Sequence, residues 1–351
     1  MSKMKAAVFY KAGDMRVENV DIPEVGPNDV LMKVLACGIC GSDVHSYKLG
    51  MYIQKGQIMG HEYVGEVVKV GENIKGIEAG ERAFGTTIEF CMECYWCKHQ
   101  LFAMCPNLFN ACTGYGKPGA FAEYIKIENV MMGMNMFKIP DNVDDISAAT
   151  IEPLSVSAHT VALTNPQEGD KVVILGAGLI GNGAMQIYKT HPIEKIVVTE
   201  VSDLRLEAAK KFGADVVIDA KTENVLERCK QEVGVGPYHF NVGAMADIVV
   251  EAAGAPSTIR DSLEIVRSAG TIAIVGLPEK EALIDTTKIV HKAPKILGAF
   301  GGDTVKAIEL LKNKQVNTKD LVSHVFSLND VKEAFEVQSD PSKSIKVMVK
   351  P

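Results

Sequence analysis

Apolar and polar positions alternate along the first part of the chain. The segments KAAVFY, DVLMKVLAC and EYVGEVVKVG, all between Lys3 and Phe84, follow this period of two and are separated by turn residues. Alternation over short segments is the pattern of β-strands that bury one face. We therefore predict an all-β region from Lys3 to about Phe84.

The pattern changes from about Gly169 onward. Six apolar runs follow one another with helical stretches between them: KVVILG, KIVVTE, DVVID, DIVVEAAG, GTIAIVG and KILGAF. Continuous runs of Val, Ile and Leu are typical of parallel strands covered by helices on both faces, and six of them predict a doubly wound domain. After Asp303, VKAIELLKN and NDVKEAFEV predict two amphipathic helices, and SIKVMVK predicts a last strand whose partner the pattern does not identify.

Length and charge narrow the class of protein. The chain has 351 residues, of which 47% are hydrophobic, so two domains with separate cores are expected. The net charge of −7 argues against a nucleic-acid partner, because phosphate binding needs clustered Lys and Arg. No segment approaches the roughly twenty apolar residues that span a bilayer, and the first residues do not form a secretion signal. We expect a cytoplasmic protein with reduced cysteines.

Half of the eight cysteines lie close together, at Cys91, Cys94, Cys97 and Cys105. Gaps of two residues let neighbouring sulfurs converge on one Zn²⁺, and four thiolates leave no open coordination position. We predict a structural zinc site in a lobe of about residues 88–112. Unrelated buried or disulfide-bonded cysteines are the alternative.

A glycine motif follows the first apolar strand of the second region. Gly176, Gly178 and Gly181 form G-x-G-x-x-G, with Leu179 and Ile180 between the last two glycines. Between a buried strand and a helix, the first glycine allows the tight turn, the second admits a pyrophosphate and the third lets the helix meet the strand. The phosphates then bind at the helix N-terminus. We predict a dinucleotide site here; a plain glycine-rich turn is the alternative.

The next apolar strand ends at an acidic residue, Glu200. A carboxylate at this place accepts hydrogen bonds from the adenosine ribose hydroxyls and repels a 2′-phosphate, which favours NAD over NADP. Arg205 lies nearby and offers the opposite interpretation, because an arginine can bind that phosphate. Its other interpretation is a charge on the surface of a helix.

Residue types that ligate metals occur together in two further clusters and at one separate position. They are Cys40, Ser42, Asp43 and His45 in CGICGSDVH, His61 and Glu62 in GHEYVGEVVKVG, and Glu152 in IEPLS. Cys and His form a catalytic zinc site when the coordination shell keeps a free place for substrate. Any one of these residues alone could be structural, but together with a dinucleotide motif they predict an open zinc site.

These motifs resemble those of the zinc-containing medium-chain dehydrogenases, and the resemblance extends over nearly the whole chain. The stretch GHE-x2-G-x5-G-x2-I, here Gly60 to Ile74, is similar to the zinc signature of the family, and GICGSD-x-H is similar to its first ligand loop. The four-cysteine lobe resembles its structural zinc loop. The resemblance implies two zinc ions per chain and a nicotinamide coenzyme, NAD.

The resemblance also implies the ligands of the catalytic zinc. The family's first Cys and His ligands correspond to Cys40 and His61, and Glu152 stands where the long-studied alcohol dehydrogenases have a second cysteine. This replacement resembles the polyol dehydrogenase branch, which includes sorbitol, threonine and butanediol dehydrogenases. In that branch Glu62 contacts the metal directly or in exchange with water. Asp43 is either a residue that orients a ligand or a plain turn residue.

The family's fold implies two domains. A β-rich, chaperonin-10-like catalytic domain is expected at residues 1–153 and 296–351, and an NAD-binding Rossmann domain at 154–295, with the active site in the cleft between them. Val275, Leu277 and Phe300 are expected to hold the nicotinamide amide through backbone groups. The family also implies a homo-oligomer, a tetramer or a dimer.

The implied reaction is oxidation of a secondary alcohol, such as a polyol, a vicinal diol or a hydroxy amino acid, by hydride transfer to NAD. Ser42 is expected to hydrogen-bond the substrate oxygen, and His45 to pass the proton to solvent. An NADPH-dependent zinc aldehyde or ketone reductase and a non-catalytic dinucleotide-binding protein are the alternatives. We expect the substrate pocket to include residues 46–57, the neighbourhoods of Phe109 and Thr113, and the stretch after Phe300.

Overall fold

The structure is a computed structural model that describes residues 2–87, 90–107 and 110–351. The chain divides into two compact units. The first contains Met1–Glu152 and Val322–Pro351, and the second contains Pro153–Leu321. Each unit has its own sheets and its own hydrophobic core.

The strands, in chain order, are β1 Lys3–Lys11, β2 Asp14–Asp21, β3 Val30–Gly38, β4 Glu62–Val70, β5 Arg82–Gly85, β6 Tyr124–Ile127, β7 Met136–Lys138, β8 Lys171–Leu175, β9 Lys195–Glu200, β10 Val216–Asp219, β11 Val235–Tyr238, β12 Asn241–Ala244, β13 Ala246–Glu251, β14 Val266–Ile274, β15 Lys295–Gly298, β16 Val322–Ser327 and β17 Lys346–Lys350. The α-helices are α1 Gly41–Leu49, α2 Tyr95–Lys98, α3 Asp145–Ala148, α4 Ile151–Thr164, α5 Leu179–Tyr188, α6 Asp203–Lys211, α7 Val225–Val233, α8 Pro256–Ile265, α9 Thr286–Lys292, α10 Thr304–Lys312 and α11 Val331–Gln338. Short 3₁₀ helices lie at Phe102–Met104, Lys319–Leu321 and Leu328–Asp330.

The first unit is built around a mixed sheet in the order β16-β17-β3-β4-β5-β7, with β6 also paired to β3. Strands β1 and β2 form a separate antiparallel pair. The apolar positions of the alternating strands meet aromatic residues in one core, which includes Tyr63, Phe121 and Phe335. The predicted β-rich start of the chain is therefore confirmed.

The last strand, SIKVMVK in the sequence, pairs within this same sheet. Strand β17 runs antiparallel to β3, with Met348 opposite Gly38, and parallel to β16. The hydrophobic pattern alone did not identify this partner. The pairing brings the end of the chain next to the segment that leads from β3 into α1.

The second unit contains one parallel sheet in the order β10-β9-β8-β13-β14-β15, with helices between its strands. When only the six strands of this sheet are numbered along the chain, the order is 3-2-1-4-5-6, the arrangement of a doubly wound dinucleotide-binding domain. All six predicted strands are present. The Val, Ile and Leu side chains of β8, β9 and β13 are buried, as expected for strands covered on both faces, whereas Ile296 in the edge strand β15 is 41% exposed.

The chain returns to the first unit at a later residue than we expected. The family resemblance implied a return at about residue 296, but the unit boundary lies at Val322. Strand β15 extends the parallel sheet beside β14, and Gln186 forms two hydrogen bonds with the backbone of Asn317, at 2.8 and 3.2 Å. These contacts keep residues 296–321 with the second unit.

One element of the second unit was not predicted. Strands β11 and β12 form a hairpin between α7 and β13, and Phe240 at its turn is 100% exposed. The described residues contain no helix that is long and apolar enough to cross a membrane.

Candidate active site

Cys40, His61 and Glu62 are brought together in the first unit. One possible ligand atom from each lies within 4.8 Å of the other two. The sheet explains this convergence, because Glu62 begins β4 opposite Gly38 at the end of β3, and Cys40 follows two residues later as the N-cap of α1. Two distant motifs in the sequence therefore meet across one pair of antiparallel strands.

Asp43 contacts two of these candidate ligand residues, Cys40 and His61. Its Oδ1 lies 3.3 Å from His61 Nδ1, and its Oδ2 accepts a hydrogen bond of 3.0 Å from the Cys40 backbone N–H. Burial disfavours a charged His61, but the Asp43 carboxylate outweighs it and raises the pKa of His61 well above its usual value. Asp43 thus lies against the imidazole and holds the start of α1, which supports the first of the two interpretations of this residue.

Glu62 is paired with a lysine that the sequence analysis missed. The Nζ of Lys346 donates to both carboxylate oxygens of Glu62, at 2.8 and 2.7 Å, and to the carbonyl of Ile39 at 3.0 Å. Both residues are buried. A lysine at a buried position of an otherwise apolar strand, as in SIKVMVK, is the signal that identifies such a partner.

Glu152 lies near this group without belonging to its tight cluster. It is the second residue of α4, and burial raises its pKa to about 7, with His61 opposing that rise and Glu62 adding to it. Its carboxylate is therefore within electrostatic reach of both residues. Glu152 is not one of the residues whose possible ligand atoms lie within 4.8 Å of one another.

The donor set fits zinc. A thiol, an imidazole and a carboxylate converge, which is the chemistry of open zinc sites that leave a place for substrate. Ser42 is partly buried at the start of α1, and His45 follows one turn later on the same helix. Both residues predicted to handle the substrate proton thus belong to the helix that Cys40 caps.

The four cysteines of the lobe also converge. Their sulfurs all lie within 4.8 Å of one another, and every cysteine of the described residues is a free thiol. The backbone N–H groups of Cys94 and Cys97 donate to the sulfurs of Cys91 and Cys94, both at 3.4 Å. Backbone N–H groups lower the pKa of Cys91 to about 6. Four clustered sulfurs that accept backbone hydrogen bonds fit the predicted closed zinc site, and the disulfide alternative is not found.

The glycine motif of the second unit occupies the turn between β8 and α5. Gly176 has a φ of +102°, and a Cβ there would clash with the backbone of Ala252 and Ala253; a Cβ on Gly181 would overlap the Gly176 carbonyl. At Gly178, in contrast, the nearest atom to an added Cβ is Arg205 Nη1 at 3.8 Å. The fold itself thus needs the first and third glycines, whereas the space at the second fits an approaching pyrophosphate.

Glu200 ends β9 beside this turn. Its carboxylate accepts hydrogen bonds from the backbone N–H groups of Ala177 at 2.8 Å, Val201 at 2.7 Å and Ser202 at 3.0 Å. Arg205 lies close by: burial lowers the pKa of its guanidinium, and the nearby Glu200 carboxylate opposes part of this shift. A fixed carboxylate and an arginine therefore flank the same side of the glycine turn.

The other predicted contacts lie after the ends of parallel strands. Val275 and Leu277 follow β14, and Phe300 follows β15, which places them beyond the carboxyl ends of the strands where doubly wound sheets bind ligands. Leu277 is 80% and Phe300 48% exposed. Of the predicted pocket residues, Thr113 is buried, and Phe109 lies outside the described residues.

Comparisons with known proteins agree with this geometry. Residues 26–141 match the family described as alcohol dehydrogenase GroES-like domain, and residues 180–313 match the zinc-binding dehydrogenase family. The chain is 35% identical to sorbitol dehydrogenase of Bacillus subtilis, over 99% of this chain and 97% of that one. It is 34% identical to L-threonine 3-dehydrogenase of Escherichia coli, over 95% of this chain and 96% of that one.

A solved structure from Sinorhizobium meliloti, described as a zinc-binding dehydrogenase bound to NADP, is similar over the full length of both chains. Its TM-score is 0.89 and its sequence identity 29%. The chain is therefore a zinc-containing medium-chain dehydrogenase of the polyol-dehydrogenase-like branch.

Proposed function

We propose that this protein oxidises a secondary alcohol to a ketone with NAD, in a reaction that requires zinc at Cys40, His61 and a carboxylate. The observation that supports this most is the convergence of those side chains in a chain that also has a complete glycine turn for a dinucleotide. Polyols, vicinal diols and hydroxy amino acids are the substrate class, in keeping with the sorbitol and threonine dehydrogenases among its relatives.

The side chains of the first unit have separate roles in this reaction. Zinc held by these side chains would supply the Lewis acidity that lowers the pKa of the substrate hydroxyl, and a bound nicotinamide would accept the hydride. Ser42 hydrogen-bonds the reacting oxygen, and the His45 imidazole passes its proton to solvent. Glu62 and Glu152 are the two carboxylates available as the third ligand, and Lys346 competes for Glu62.

The coenzyme assignment rests on Glu200. Its carboxylate lies buried beside the glycine turn, where it attracts ribose hydroxyls and repels a 2′-phosphate. Arg205, next to Gly178, supports the second candidate, an NADPH-dependent aldehyde or ketone reductase, as does the NADP bound to the Sinorhizobium relative.

Steady-state kinetics test the proposal. We expect the zinc-loaded protein to reduce NAD in the presence of at least one polyol, vicinal diol or hydroxy amino acid, with kcat/KM at least about tenfold higher for NAD than for NADP. The matched variant Glu200→Ala should lose that preference. A tenfold preference for NADP in the unmodified protein would instead support the reductase.

A further inference from the structure

Tyr115 has a buried hydroxyl that finds no hydrogen-bond partner within the part of the chain that the structure describes. A buried donor left unpaired costs about 1–3 kcal/mol, so such groups are uncommon away from functional sites. The proposed mechanism does not use this phenol, and the sequence analysis did not identify it. Its partner is expected to come from a molecule outside the chain.

The phenol lies among the residues of the metal site. The Tyr115 ring lies against the His61 imidazole, with ring centroids 5.6 Å apart and planes tilted by 41°. The Ser42 hydroxyl lies beside the phenol without forming a well-shaped hydrogen bond, and Cys40 and Asp43 are close enough to affect its ionisation.

A tight turn holds Tyr115 in this place. The carbonyl of Cys112 accepts hydrogen bonds from the backbone N–H groups of Tyr115 at 3.1 Å and of Gly116 and Lys117 at 3.0 Å. A Cβ on Gly119 would overlap the carbonyls of Met59 and Gly60, which shows how closely the turn packs on the segment that leads to His61. The position of the phenol is therefore fixed relative to the metal site.

We propose that the Tyr115 hydroxyl binds a second oxygen of the substrate, on the carbon next to the reacting one, and thereby selects vicinal diols and polyols over monoalcohols. This inference rests on the proposed function, in which Ser42 binds the reacting oxygen. Two hydroxyl groups side by side then meet two oxygens on neighbouring carbons. A monoalcohol leaves the phenol unpaired, and a site built to hydrogen-bond a substrate hydroxyl discriminates against analogues that lack it.

The test compares a diol with its matched monoalcohol. We measure kcat/KM for butane-2,3-diol and butan-2-ol with the zinc-loaded protein, with Tyr115→Phe and with the control Tyr124→Phe, whose phenol packs in a separate small cluster near Ile58 and Ala122. The diol-to-monoalcohol ratio should fall at least about tenfold in Tyr115→Phe, as expected for one lost hydrogen bond. It should stay unchanged in Tyr124→Phe.

A second measurement needs no turnover. The diol should raise the Tm of the zinc-loaded protein more than the monoalcohol does, and Tyr115→Phe should lose this difference. If no alcohol is turned over but this difference is found and lost in the variant, the proposed function is wrong and the role of Tyr115 stands. If turnover occurs and both proteins discriminate equally, the role of Tyr115 is wrong and the function stands. Loss of zinc from Tyr115→Phe would also contradict the proposal, because the hydroxyl would then serve the metal site itself.

Discussion

At the scale of the residue, the least expected feature is the charge pair between Glu62 and Lys346. A buried carboxylate beside a metal site needs a compensating charge, and Lys346 provides it through both carboxylate oxygens. The sequence showed Glu62 as a candidate ligand because it follows His61 in GHE. It did not show the lysine, because the pairing depends on strand β17 returning across 284 residues to lie beside β3.

Lys346→Met should destabilise the metal-free protein by about 3–5 kcal/mol, because it leaves the Glu62 carboxylate buried without a counter-charge. The matched control is Lys350→Met on the same strand, where the lysine is exposed and the change should stay within about 0.5 kcal/mol. Chemical denaturation monitored by circular dichroism gives both free energies of unfolding. Equal stability of the two variants would show that the Glu62–Lys346 pair contributes nothing.

At the scale of the element, the glycine turn contains two glycines that the packing of the fold requires and one that leaves space for a ligand. The backbone leaves no space for a side chain at Gly176 or Gly181, whereas Gly178 is open. The sequence predicted a dinucleotide turn at all three glycines from their place between a strand and a helix, and the structure has this strand–turn–helix arrangement. It could not tell which of them serve the fold, because that depends on contacts with Ala252 and Ala253 in a distant loop.

Gly178→Ala should fold normally but bind NADH at least about tenfold more weakly, because the new methyl group occupies the space through which the pyrophosphate approaches. Gly181→Ala should lower the free energy of unfolding by more than about 1 kcal/mol, since its methyl group meets the Gly176 carbonyl. Thermal melts and NADH fluorescence titrations measure the two effects separately. Unchanged NADH affinity in Gly178→Ala would show that dinucleotide binding does not require a glycine at this position.

At the scale of the whole molecule, the sequence predicted the order of the two domains along the chain but not all of their boundaries. Period-two and continuous apolar patterns identified the β-rich start and the six parallel strands, since both follow from burial of one or two faces. The hairpin β11–β12 and the late return at Val322 were missed. These depend on tertiary contacts, such as Gln186 with Asn317, that no local pattern contains.

The two predicted zinc sites both belong to the first unit, and one tryptophan distinguishes them. Trp96, the only tryptophan of the chain, lies in α2 between Cys94 and Cys97. Its fluorescence should therefore report on the four-cysteine lobe and not on the Cys40 and His61 site. An open site with fewer protein ligands should release zinc before a closed site with four thiolates.

The most direct test of the central claim is stepwise removal of zinc by a chelator, with zinc content, alcohol-dependent NAD reduction and Trp96 fluorescence followed together. We predict two zinc ions per chain. Loss of the more exchangeable one should abolish NAD reduction while Trp96 fluorescence stays constant, and added zinc should restore the rate. An undiminished rate of NAD reduction after that zinc has left would contradict a zinc-dependent dehydrogenase.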